Sequence, residues 1–130
     1  KINNKKHNTD VSFLEMDILN LENIISDKFD VIVSNPPYVM NSEKKHINKN
    51  VLDNEPHLAL FVSDQDPLIF YDNIIKRSKD LLSNEGCLYF EINENFGLEI
   101  IELLNDEGFV NIQLKKDING RDRMIKAVFK

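Results

Sequence analysis

The chain has 130 residues, 42% of them hydrophobic and 29% charged, with a formal net charge of -6 and a pI near 5.0. That length holds one core, and the acidic balance argues against a nucleic-acid groove, which needs clustered Lys and Arg to neutralise phosphates. One cysteine, Cys87, excludes an intrachain disulfide and a cysteine-held metal cluster, and no stretch approaches the roughly 18 apolar residues of a membrane span.

Val11 to Met16 has strand character and ends at Asp17. Leu21 to Ile25 suits a short helix. Phe29 to Ser34 is a β-branched run that stops at Asn35 and two prolines. Its near-continuous apolar middle predicts a strand buried on both faces, as in a parallel sheet. Residues 39 to 65 lack strong periodicity, and segments of that kind are usually functional or disordered. A charged short helix fits Ser42 to Asn50. Asp66 reads as an N-cap with Pro67 at the first helical position. Leu68, Tyr71, Ile74, Ile75, Ser78, Leu81 and Leu82 then mark one helical face. Asn84-Glu85-Gly86 ends that helix and turns into a strand, Cys87 to Ile92, with Cys87 as a buried small hydrophobe. Leu98, Ile100, Ile101, Leu103 and Leu104 make a second amphipathic helix, closed by Gly108. Val110 to Leu114 and Met124 to Phe129 are two last strands, with Asn119-Gly120 in a turn between them.

The order strand, helix, strand, long loop, helix, strand, helix, strand, strand predicts an α/β fold with a mostly parallel sheet. The last two strands have no helix between them, so an antiparallel hairpin is expected at one edge.

In open α/β sheets ligands bind outside the carboxyl ends of strands. Asn35-Pro36-Pro37-Tyr38 follows directly on Phe29 to Ser34 and so occupies that position. Those residue types suit chemistry on a planar amide or amino nitrogen. Such a nitrogen is a poor nucleophile because its lone pair is delocalised. An acceptor on each N–H orients the group and stabilises the charge that develops as a methyl arrives. The Asn35 side-chain oxygen is one acceptor, and a backbone carbonyl of the two-proline segment, that of Pro36, is the other. Proline fixes φ and helps hold that carbonyl. Tyr38 offers a flat face to the planar group. Preorganisation and proximity supply the rate, and no strong general base is required. The plain alternative is that Asn-Pro-Pro only stops a strand. Asp17, at the end of the first strand, either accepts from an adenine amino group or caps the following segment. Ile18 lies against the adenine ring or in the core. His7, His46 and His57 are scattered without ligand spacing.

These residues resemble a known family. Asn35 to Tyr38 after Phe29 to Ser34 resembles motif IV of amino methyltransferases. Glu55-Pro56-His57-Leu58-Ala59-Leu60-Phe61 resembles the Glu-Pro…Ala-Leu segment of the HemK/PrmC family of protein glutamine methyltransferases. Asp117-Ile118-Asn119-Gly120-Arg121-Asp122-Arg123 resembles that family's closing Asp-x-x-Gly-x-x-Arg stretch. The resemblance covers nearly the whole chain. It implies a partial class I, Rossmann-like methyltransferase fold, with residues 1–130 as the carboxyl-terminal part of a single methyltransferase domain. It also implies methyl transfer from S-adenosylmethionine to the glutamine amide of the Gly-Gly-Gln loop in peptide-chain release factors. By motif match Asn35 and Pro36 are catalytic, Asn35 to Tyr38 hold the glutamine, Asn35 borders the methyl donor, and Asp17 and Ile18 lie on the adenine side. A cytoplasmic protein with no membrane or nucleic-acid partner is expected.

The sequence departs from the family at its start. The family's amino-terminal helical domain, the Gly-rich loop after its first strand and the acidic residue after its second have no counterpart; Gly stands only at 86, 97, 108 and 120. Lys1 to Asn8 looks like the tail of the helix before the family's third strand. The family's sheet order is 3-2-1-4-5-7-6, so strands 1 and 2 are missing and the fourth strand has an open edge. The chain alone is therefore expected neither to bind S-adenosylmethionine tightly nor to transfer a methyl. Residues 66 to 130 with the fourth strand are expected to keep the family arrangement. Residues 1 to 28 are expected to be displaced or engaged with a neighbour. Either Val11 to Met16 crosses over to pair with Phe29 to Ser34, or a second copy covers the edge in a dimer. Two other readings are a nucleic-acid amino methyltransferase and a non-catalytic release-factor-binding remnant.

Overall fold

The structure, a computed structural model, describes residues 6–20 and 27–130. Strand β1 (Phe29–Ser34) leads into a short β2 (Val39–Met40) and a 3-10 turn (Asn41–His46). Helices α1 (Lys49–Asn54) and α2 (His57–Leu60) and strand β3 (Phe61–Val62) follow. Then come α3 (Ile69–Leu81), β4 (Leu82–Glu91), a 3-10 turn (Glu94–Phe96), α4 (Gly97–Asp106), β5 (Phe109–Lys116) and β6 (Asp122–Phe129). The main sheet has the order β1-β4-β6-β5, and β2 pairs with β3 in a separate two-stranded sheet. β1 runs parallel to β4, and β6 is antiparallel to both β4 and β5. This is the 4-5-7-6 order that the resemblance implies for the last four strands, with the expected hairpin at the edge.

The core lies between one sheet face and two helices. Tyr71, Ile74 and Ile75 of α3 and Ile100 and Leu104 of α4 are buried against Leu88, Phe90, Phe109, Ile125 and Ala127 of the sheet. Each fully buried side chain of this size stabilises by roughly 1.5–3 kcal/mol. The Tyr71 and Phe90 rings meet edge to face at 5.3 Å.

The helix faces read from the sequence are the buried ones, with local corrections. α3 begins at Ile69 with Leu68 as its N-cap and no side-chain cap. Pro67 and Leu68 form a turn ahead of it, so Asp66 stands two residues outside the cap. On α4 the inner face is Gly97, Ile100 and Leu104, and Leu98 is 71% exposed. Gly108 closes that helix at φ +85°, its N–H donating to the Asn105 carbonyl at 3.0 Å. Asn84-Glu85-Gly86 does not separate helix from strand. The Leu82 N–H bonds the Ser78 carbonyl and the chain enters β4 at once. The three residues form a bulge, because pairing jumps from Phe29↔Leu82 to Val31↔Cys87. Glu85 sits there at φ +62°, and a Cβ on Gly86 would lie 2.8 Å from the Ser83 carbonyl oxygen.

Three expectations fail for a shared reason: apolar patterning records what a segment can bury, not whether a partner is present. β1 is not buried on both faces. Only Ile32 packs against the core, while Val31 and Val33 are 53% and 75% exposed. Cys87, beside Val31 on that open face, is half-buried. Val11 to Met16 forms no strand, and Phe13 and Leu14 are exposed. Nor does that segment cross over to β1, which among the described residues pairs with β4 alone. Lys6 and His7 are helical, and the helix expected over Leu21 to Ile25 lies outside the described residues. The charged helix expected over Ser42 to Asn50 is split into the 3-10 turn and α1, which Asn48 caps by accepting from the Asn50 N–H at 2.9 Å.

Candidate active site

Asn35-Pro36-Pro37-Tyr38 leaves the carboxyl end of β1, immediately after Ser34 pairs with Phe90 of β4. Pro36 is buried, Pro37 and Tyr38 are half-buried, and Asn35 is exposed. The backbone then enters β2, where Val39 and Met40 pair with Phe61 and Val62. This pairing brings the Glu55-to-Phe61 stretch against the loop, since α2 and β3 are built from it. Ser42 secures the junction, donating from N and Oγ to Asp64 Oδ1 at 3.0 and 2.9 Å. The Lys44 ammonium lies 4.4 Å from the Phe61 ring centroid.

The closing stretch reaches the same place. Asp117 Oδ1 accepts from the N–H groups of Asn119 (2.8 Å) and Arg121 (3.0 Å), and Gly120 takes φ +80°. The Arg121 N–H first, then that of Asn119 and the nearby guanidinium groups, hold the Asp117 carboxyl below its ordinary range. This turn starts β6 so that Arg123 Nη1 donates to the Ile92 carbonyl at 3.1 Å and to the Tyr38 hydroxyl at 3.4 Å. Two stretches far apart in sequence thus converge on this one loop.

Tyr38 is held at both of its ends. Its hydroxyl donates to Glu91 Oε1 at 2.5 Å, and its carbonyl accepts from Asn93 Nδ2 at 3.1 Å. Burial, and then the hydrogen bond and charge of Glu91, push its pKa up to about 12, so the phenol stays protonated near neutrality. Asn93 is 6% exposed and fully bonded: Nδ2 also donates to Glu43 Oε2 at 3.1 Å, and Oδ1 accepts from the Asn95 N–H at 3.0 Å. Tyr71, from α3, donates to the Glu91 carbonyl at 3.2 Å.

Among the described residues the loop borders cavities on three sides. Asn35 lines one of about 640 Å³ with Val31, Val33, Tyr89 and Glu91. Tyr38 lines a second, of about 280 Å³, with Glu43, Asn93, Arg121 and Arg123. Pro37 lines a third, of about 500 Å³, with Asp17, Ile18, Leu58 and Phe70. The structure therefore brings Asp17 and Ile18 to Pro37, but not into the cavity that Asn35 lines. Asp17 Oδ1 caps its own turn, accepting from the Leu19 N–H at 3.0 Å.

The family described as Eco57I restriction-modification methylase matches residues 1–106. The chain belongs to that family. Curated relatives narrow the likeness. The chain is 56% identical over 93% of its length to the release factor glutamine methyltransferase of Flavobacterium psychrophilum, and 42% identical over 96% to that of Bacteroides thetaiotaomicron. It spans less than half the length of these relatives, 42% and 45%. Among solved structures, a methyltransferase from Pyrococcus furiosus superimposes over 98% of this chain and 54% of its own, with a TM-score of 0.60 at 15% identity. The architecture is thus part of a Rossmann-like methyltransferase fold.

For this methylase-family chain, sequence reasoning missed Glu91, Asn93 and Glu43. The first two stand at and just beyond the carboxyl end of β4, the same rule of position that singled out Asn35 after β1. Glu43 left only a local signal, as an acceptor for the Met40 N–H at 2.9 Å; its bonds to Asn93 and Asn95 span about 50 residues and have no local mark.

Proposed function

We propose that the chain is the acceptor-binding, carboxyl-terminal part of a single methyltransferase domain whose full-length form methylates a glutamine side-chain amide in the Gly-Gly-Gln loop of peptide-chain release factors. The observation that carries this reading is the convergence of the other two motif stretches on Asn35 to Tyr38. Asn35 stands exposed at a strand end, and its side-chain amide makes no hydrogen bond to a described residue, so it is open to a substrate amide. Its oxygen takes one amide N–H, and the carbonyl of Pro36 takes the other. The Tyr38 ring flanks the planar group. Two acceptors on one nitrogen increase its electron density in the transition state; the nitrogen would take the methyl from a sulfonium donor, which leaves as a neutral thioether, and would lose one proton to solvent.

The donor in this reading is S-adenosylmethionine, which supplies a methyl group on a positively charged sulfur. The residues fit its adenine end: Ile18, Pro37 and Phe70 give apolar walls, and Asp17 keeps one carboxylate oxygen beyond the one that caps its turn. By motif match Asn35 would also border the donor. The sequence holds no Gly-rich loop ahead of β1, so tight donor binding belongs to the full-length protein. No described helix is long and apolar enough to cross a membrane, and we take the protein to be cytoplasmic with release factors as its partners.

The family's description as a restriction-modification methylase favours a second reading, methylation of a nucleic-acid amino group at the same loop. The net charge of -6 counts against it. Methylation assays of the full-length protein with release factor, DNA and ribosomal RNA distinguish the two. Asn35→Ala is expected to cost about 3 kcal/mol in kcat/KM with release factor, roughly a hundredfold. Near-normal turnover would remove Asn35 from its role, and methylation of DNA or RNA alone would transfer the reading to the second substrate class.

A further inference from the structure

Both ends of the Asn35-to-Tyr38 loop are held by the end of one strand. Ser34, before the loop, pairs with Phe90. Tyr38, at its other end, is bonded by Glu91 through its hydroxyl and by Asn93 through its carbonyl. Only Asn35, Pro36 and Pro37 lie between these anchors. The proline rings fix φ at two of the three, so few soft torsions remain to be set. Asn93 is buried and Glu91 half-buried, and β6 braces the end of β4 through the Ile92 N–H to the Arg123 carbonyl at 2.9 Å. The support is rigid on both sides of a three-residue span.

We propose that Glu91 and Asn93 are positioning residues which, by gripping Tyr38 at hydroxyl and carbonyl, fix the direction of the Asn35 side chain and the Pro36 carbonyl. The proposal rests on the reading of that loop as the amide cradle. Neither residue needs to touch the substrate. Misplacing two acceptors by about 1 Å can cost up to a hundredfold in rate without equal loss of binding. The raised pKa of Tyr38 agrees with this division of labour: its hydroxyl is committed to Glu91, with Arg123 as the other charged neighbour and Tyr71 on the far side of the Glu91 backbone. The phenol is a tether, and the ring is the part left for substrate.

The test uses near-isosteric variants and two readouts. In this chain, ultraviolet titration follows the tyrosine ionisations. Glu91→Gln should bring one tyrosine midpoint down from about 12, and Tyr38→Phe should remove that same transition. In the full-length protein, Glu91→Gln and Asn93→Asp should each lower kcat for amide methylation about tenfold while KM stays within about twofold. Combining Tyr38→Phe with Glu91→Gln should cost no more than the larger single change, because both act through the one Tyr38–Glu91 contact, the first removing its donor and the second its charge. An unchanged midpoint in Glu91→Gln overturns the proposal, as does full additivity in the double variant, which would mean that Glu91 acts on the substrate itself. Loss expressed in KM alone also overturns it. Full activity of Asn35→Ala would fell the underlying reading, and with it this proposal. That failure is distinguishable because the tyrosine titration would be untouched.

Discussion

Asn93→Ala tests how much of the chain's stability resides in the loop support. The side chain is 6% exposed and makes three hydrogen bonds, to the Tyr38 carbonyl, the Glu43 carboxylate and the Asn95 N–H. A neutral bond contributes about 1 kcal/mol net, and a bond to a charged group about 1.5–3 kcal/mol. Full loss would therefore approach 4–5 kcal/mol. Asn95 is exposed and Glu43 and Tyr38 are half-buried, so water recovers part of this, and about 2–3 kcal/mol is expected. Urea unfolding of the chain measures it. With a slope of about 1–2 kcal/mol per molar for a chain of this size, the midpoint should fall by more than 1 M at unchanged slope. Asn95→Ala is the control. It removes only a 3.4 Å contact from its side chain to Glu43 and keeps the backbone N–H, so it should cost under about 0.5 kcal/mol. Equal effects of the two substitutions would refute the hub role given to Asn93.

Gly86→Ala should destabilise by about 1–3 kcal/mol, because the new Cβ meets the Ser83 backbone oxygen at 2.8 Å and cannot push it aside cheaply; urea unfolding indistinguishable from wild type would contradict the tight bulge. The raised pKa of Tyr38 means that the folded state holds this proton more firmly than the unfolded one. Its contribution to stability is complete below pH 10 and is lost as pH climbs from 10 towards 12. Unfolding free energies measured across that window should fall more steeply for wild type than for Tyr38→Phe, and parallel curves would count against the shift. The exposed Val31 and Val33 and the pairing of β1 on one side only among the described residues predict self-association. Sedimentation should detect species above the 15.1 kDa monomer that Val33→Lys dissolves, and a wild-type chain that stays monomeric at every concentration refutes this.

The sequence determined the features that depend on near neighbours along the chain. Phe29 to Ser34 followed by two prolines defines a strand and its end, because side-chain shape and the fixed proline φ act within a few residues. Tyr71, Ile74, Ile75 and Ser78 recur at helical spacing, and they are the buried face of α3. Asn119-Gly120 reads as a turn because that dipeptide tolerates the left-handed backbone, and Gly120 takes φ +80°. The same locality made Asn35 to Tyr38 legible as a candidate site at the carboxyl end of a strand.

Tertiary structure decided the rest. Glu91, Asn93 and Arg123 meet Tyr38 across 53, 55 and 85 residues of sequence. No periodic pattern announces such contacts, since each depends on where separate strands begin or end in space. The exposure of Val31 and Val33 was equally hidden: an apolar run states a capacity for burial, and whether burial occurs depends on what stands opposite. The capping of α3 and the bulge at Gly86 turned on how a helix is joined to a sheet whose position is set by the core. Hydrophobic pattern and backbone preference act locally and survive in the sequence. Hydrogen-bond partnership between distant side chains exists only once packing has brought them within about 3 Å of one another.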